Sequence, residues 1–127
     1  MRASVWLGLL VALVAMGLSY PSVDAHHSSA PFYDPEQQIE VIGVVERFVF
    51  RNPNSFLYVE AGGDDGASVV WEIEMGASVS MTRRGWTPHT IAVGDEVKVV
   101  GQPSRAPGTT GVCCAELTRP DGSPIRP

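Results

Sequence analysis

The chain has 127 residues, 44% hydrophobic and 18% charged, with 13 glycines, 10 prolines and a formal net charge of −5. That balance suits one turn-rich globular domain and excludes a coiled coil, a disordered polar tail or two ordinary domains. With Lys98 as its sole lysine and an acidic surplus, the chain is poorly equipped to neutralise a phosphate backbone, which excludes nucleic acid as a partner.

Residues 1–25 read as an export signal. Arg2 supplies the positive start, Val5 to Leu18 is an apolar run, and Val23-Asp24-Ala25 ends in the small residue a signal-cleavage site requires. A membrane-crossing helix takes roughly 20 apolar residues, and Ser19-Tyr20-Pro21 interrupts this run well before that. The expectation is a periplasmic or secreted protein with no membrane span after cleavage and a mature start at His26-His27-Ser28. Residues 26–38 contain Pro31 and Pro35 and show neither helix nor strand period, which predicts an N-terminal arm.

The domain proper is expected over residues 39–127. Ile39 to Phe50 is rich in Val, Ile and Phe, with Gly43 in its interior, and reads as a long strand bent by a bulge at that glycine. Arg51-Asn52-Pro53-Asn54-Ser55 breaks it. Phe56 to Ala61 is a second strand, residues 62–66 a glycine-rich turn, and Val69 to Met75 a third strand in which Trp71 and Ile73 alternate with Glu72 and Glu74. The β-pattern then lapses. Ser78 is placed to cap a short helix that carries Val79 and Met81 and ends at Arg83-Arg84-Gly85. After Trp86 and a Thr87-Pro88-His89 turn come strands at Glu96 to Val100 and Val112 to Thr118, separated by a loop. The order predicts an all-β, five-stranded barrel of oligonucleotide- and oligosaccharide-binding (OB) type, with one short helix between strands 3 and 4. A small open β-sandwich is the competing arrangement.

His26-His27-Ser28, the Arg51-Asn52-Pro53 corner, Trp71-Glu72, Arg83-Arg84-Gly85-Trp86 and Gly94-Asp95 together resemble a family of small exported bacterial proteins of unknown function. The resemblance covers nearly all of residues 26–122 and implies an exported domain with an OB-like barrel. The family's corner looks like Asn-Pro-His, whereas Asn54 stands at the histidine position here.

Two groups of contact residues stand out. An N-terminal His26 offers copper(II) an amine and a ring nitrogen, and His27 or His89 would complete a nitrogen-rich site. His26 and His27 also read as solvated imidazoles of the arm with no ligand role. Arg83, Arg84 and Trp86 set two cations beside an indole, suited to an anionic or sugar-like ligand. Against that, arginines suit a helix C-terminus and Trp86 fits as a plug for the barrel end. Arg51 and Asn52 at the first corner are further ligand candidates, although Asn-Pro makes turns for backbone reasons alone.

Cys113 and Cys114 are adjacent, and neighbours in a chain bridge only through a strained ring, so no structural disulfide is expected. Strand alternation predicts one thiol in the core and one facing outward. Phe48, Phe50, Phe56, Tyr58 and Trp71 fall on the first three strands, where OB barrels present aromatic platforms, but most of them are expected in the core. Glu46, Glu60, Glu72 and Glu74 make the polar side acidic. No nucleophile, zinc or phosphate-loop motif is present, so no catalytic residue is assigned. The resulting expectation is a non-enzymatic binding or accessory protein of the bacterial envelope, engaging a small polar ligand, an envelope polymer or a protein. The alternative is a copper-binding periplasmic protein that uses His26.

Overall fold

The computed structural model describes residues 28–63 and 65–125. The export signal, His26 and His27 lie outside the described residues. Five strands and one helix follow in chain order: β1 (Ile39–Val49), β2 (Phe56–Gly62), β3 (Ser68–Glu74), α1 (Ser78–Thr82), β4 (Glu96–Pro103) and β5 (Gly111–Thr118). They close into a barrel in the order β1-β2-β3-β5-β4, the last strand returning to the first. Every pairing is antiparallel except β3 with β5. This is the predicted OB-like barrel; closure through β4 onto β1 and β3 onto β5 eliminates the open sandwich. Among the described residues no helix is long and apolar enough to cross a membrane.

Alternation builds the core. Leu57 pairs with Ile73 and Val59 with Trp71, so these four side chains point inward in two adjacent rows. Val41 and Val45 of β1, Val97 and Val99 of β4 and Val112 of β5 complete the buried cluster, against which Trp71 packs half-buried, with Ile91 sealing it from the loop before β4. β-Branched residues suit such positions because their stiff side chains pack against cross-strand neighbours on a pleated surface.

β1 is long because it serves two partners, pairing with β4 from Ile39 to Val44 and with β2 from Val44 to Val49. The expected bulge lies three residues beyond Gly43, where the register with β2 slips between Val45 and Arg47. Glu46 is the extra residue. Gly43 is required instead by the close approach of the Glu60 carbonyl.

The narrowest seam is β3 to β5, which pair only at Glu72 with Gly111 and Ile73 with Val112. Two contacts from Thr110 reinforce it: its carbonyl accepts from Glu72 N at 3.0 Å and its hydroxyl donates to the Val70 carbonyl at 2.7 Å. The N-terminal arm docks on the adjoining end of β4, which runs three residues further than the sequence pattern suggests. Tyr33 bridges to Ser104, and Asp34 N donates to the Pro103 carbonyl at 2.9 Å. Arg105 ties the arm down, donating through Nε to the carbonyls of Ala30 and Tyr33 and pairing with Asp34 at 3.3 Å.

The corner between β1 and β2 is fastened to the helix. Ser55, fully buried, exchanges hydrogen bonds with the Arg51 backbone through its hydroxyl and with Gly76 and Met75 through its own backbone. The Asn52–Pro53 peptide is cis. Ser78 does not cap α1: Ala77 is the N-cap and brings no side-chain bond. The cap comes from across the fold, where Asn52 Oδ1 accepts from Ser78 Oγ at 3.0 Å and from Val79 N at 3.2 Å. Such an acceptor satisfies a helix N–H that would otherwise lack a partner. Of the two apolar residues assigned to the helix, Met81 is buried and Val79 exposed.

Candidate functional site

The end of α1 positions the first two site residues. Gly85 takes a positive φ of 91°, which a side chain would strain, and the chain turns back with Gly85 N donating to Thr82 O at 2.9 Å and Trp86 N to Met81 O at 3.1 Å. The reversal lays Trp86 over the barrel end, half-buried against the core and edge-on to Phe48 with centroids 6.5 Å apart. Arg84 faces the same space, beside Gly76 and the Met81 side chain.

Between these residues, the end of β3 and the middle of β5 lies a cleft of ≈ 390 Å³. Its apolar wall comes from Ile73, Met75, Met81, Trp86 and Leu117, and its polar edge from Arg84, Glu74, Ser29 and the two cysteines. Arg84 has no salt bridge among the described residues. Glu74, by contrast, is held on both oxygens: Tyr33 OH donates to Oε2 and Asn54 Nδ2 to Oε1, each at 2.7 Å. Burial, then the hydrogen bond to Glu74, raises the Tyr33 phenol above its ordinary value, so it remains a donor at neutral pH. Asn54, which departs from the histidine of the resembled family, therefore reaches this same carboxylate.

The cysteines depart from simple alternation. Cys113 is buried and Cys114 exposed, as the strand pattern predicts, and both thiols are free. Yet both line the one cleft, because Cys114 adopts a positive φ of 54° and β5 slips its register against β4 across the same stretch. The residue is no longer flipped to the opposite face of a regular strand. Ser29 Oγ and Cys114 Sγ are hydrogen-bonded at 3.4 Å, and the Cys113 thiol donates to Gln102 Oε1 at 3.9 Å. Burial, then the neighbouring Cys114 thiol, pushes Cys113 up to about 12, so it is protonated at neutral pH.

The remaining predicted residues separate. Arg83 is exposed and does not line the cleft. Arg51 stacks over Phe56 at 5.7 Å, and Arg47 over Tyr58 at 3.9 Å, on the outer face of β1 and β2. Asn52 is engaged in capping the helix. His89 is exposed in a turn shaped by Thr87 and Thr90, beside a shallow hollow with Phe48 and Ile91. Among the described residues no group of three His, Cys, Asp or Glu side chains is placed to hold a metal ion.

The aromatic row also divides. Phe48 and Trp71 turn into the core, while Phe56 and Tyr58 face outward opposite Glu74 and Glu72. Sequence reasoning missed Tyr33 and Glu74 as partners, since nothing in a polar arm signals which strand it will meet. It also missed the convergence of the thiols. The adjacent Cys113-Cys114 pair was the available signal, but alternation separated it.

A family model described as a family of unknown function (DUF6152) matches residues 13–114, most of the chain. The chain belongs to that family. No curated protein and no solved structure matches it.

Proposed function

We propose that this member of the DUF6152 family is an exported binding module that takes a small ligand with an apolar body and an anionic end in the cleft beneath Trp86. The observation that carries the reading is the pairing in one cleft of an indole with a guanidinium that has no acidic partner among the described residues. The apolar lining offers burial, the main source of affinity in small-molecule sites, and Arg84 offers a charge-assisted hydrogen bond that fixes orientation. The leader pattern of residues 1–25 supports export, and a cleft of this size on a domain of about 100 residues suits capture better than enclosed catalysis.

The test uses protein recovered from the periplasm, whose mass should place its first residue at His26, titrated with 8-anilinonaphthalene-1-sulfonate as the probe. Saturable binding is expected, with Arg84→Ala weakening it about tenfold, or about 1.4 kcal/mol. Equal affinity in native and Arg84→Ala proteins of the same melting temperature would overturn the reading.

One observation favours a second reading, copper(II) at the mature terminus. Ser29, bonded to Cys114 at the cleft edge, follows the paired histidines His26 and His27 closely in sequence. Copper(II) titration should then show a high-affinity site that His26→Ala abolishes; identical affinity in that variant rejects it.

A further inference from the structure

The sequence contains two cysteines and four methionines, and two of those methionines, Met1 and Met16, belong to the leader pattern. The other four sulfur-bearing side chains, Met75, Met81, Cys113 and Cys114, all line the one cleft beneath Trp86. They come from three separate places: the end of β3, the helix and the middle of β5. We propose that this sulfur-lined cleft is a binding site for a soft monovalent metal ion, copper(I), with the Cys113 and Cys114 thiolates as principal ligands and the Met75 and Met81 thioethers as supporting ones. The inference shares the cleft with the organic-anion reading but does not depend on that ligand.

Donor chemistry selects the ion. Thiolates and thioethers are soft ligands that favour copper(I) over hard cations. Zinc requires three or four nitrogen, thiolate or carboxylate ligands, and among the described residues no such group of three exists. Copper(I) accepts two thiolates alone, and thioethers add donors without adding charge.

The positive φ at Cys114 is what makes a shared site available. In a regular strand consecutive side chains diverge to opposite faces, whereas here both cysteines line the same cleft. Outside the glycines, Cys114 is the one residue with positive φ among those described. The left-handed region is uncommon for a side-chain-bearing residue, and such conformations cluster at functional sites.

Charge is also accommodated. Binding copper(I) to two thiols releases a proton from each to solvent and leaves a complex of net charge −1, with the oxidation states of copper and sulfur unchanged. Arg84 stands on the same cleft to offset that charge. Glu74 would oppose it, but both its oxygens already accept hydrogen bonds from Tyr33 and Asn54.

The experiment is an anaerobic titration of the reduced mature protein with copper(I) against bathocuproine disulfonate, reading the chelator's absorbance. One equivalent of copper(I) per chain should be withdrawn. Cys113→Ser/Cys114→Ser should weaken the site at least a hundredfold, and Met75→Leu/Met81→Leu about tenfold. Cys114→Ser alone changes an exposed residue and keeps the test valid should the double variant fail to fold. His26→Ala/His27→Ala should retain the copper(I), which separates this site from one at the terminus. Failure of the native protein to compete with the chelator, or native affinity in Cys114→Ser, overturns the proposal. Native affinity in the double leucine variant overturns the assignment of the thioethers. Sulfonate binding that persists while copper(I) binding fails would sink this inference alone.

Discussion

Gly43→Ala should prevent the barrel from closing normally, with a stability loss of about 3 kcal/mol or more, at the upper end of overpacking costs. A Cβ at this position would land on the carbonyl oxygen of Glu60, with the Glu60 carbonyl carbon and Val59 Cγ1 both at 2.9 Å. The obstruction is mostly backbone and cannot swing aside as a flexible side chain would. Relief requires β1 and β2 to separate where Val44 pairs with Glu60 and Val45 with Val59. That is where β1 passes from one partner strand to the other, so both sheet edges are strained together. A domain of this size has roughly 5–15 kcal/mol of stability in total. Urea denaturation followed by tryptophan fluorescence reads the loss. Gly62→Ala is the matched control: nothing lies within 4 Å of its added methyl, and stability should be unchanged or slightly higher. A Gly43→Ala midpoint equal to that of the native protein would show that the crossing relaxes freely.

Leu57→Ala should cost about 2–5 kcal/mol, the range for truncating a large buried aliphatic side chain. Leu57 is fully buried and faces Ile73 across β2 and β3, the rows that fill the middle of the barrel. For a domain of this length the melting temperature should fall by at least about 10 °C. Tyr58, the next residue, points outward over Arg47 opposite Glu72, so Tyr58→Ala should shift it far less. Similar losses at both positions would contradict the inward and outward assignment of β2, on which the placement of Glu74 and Met75 also depends.

Much of this architecture was legible in the chain because it is written in local patterns. The alternation of Trp71 and Ile73 with Glu72 and Glu74 marks β3 as a strand with one buried face, and the structure places those residues accordingly. The arginines and Gly85 mark the helix end, where Gly85 takes its positive φ. Caps and bulges were less legible. Ser78 has the right chemistry for an N-cap, but the acceptor is Asn52, 26 residues earlier, delivered by a corner whose position depends on barrel closure. Gly43 read as a bulge because a strand glycine commonly marks one, whereas close backbone approach leaves the same signature.

The candidate site divides along the same line. Arg84 and Trp86 are neighbours in sequence, so a short helix with a glycine turn brings them together by local geometry. Tyr33 reaches Glu74 across 41 positions, and Ser29 reaches Cys114 across 85.

By itself, the order and periodicity of the residues determined five strands with one helix before the fourth, because burying one face of each strand is a short-range constraint; closure as a barrel and not an open sandwich was settled by the pairing. Only the tertiary structure decided that four sulfur-bearing side chains, a guanidinium and a carboxylate accepting two hydrogen bonds share one cleft. That convergence rests on the β3–β5 closure and on a single backbone angle at Cys114, and neither is encoded in any local run of side chains.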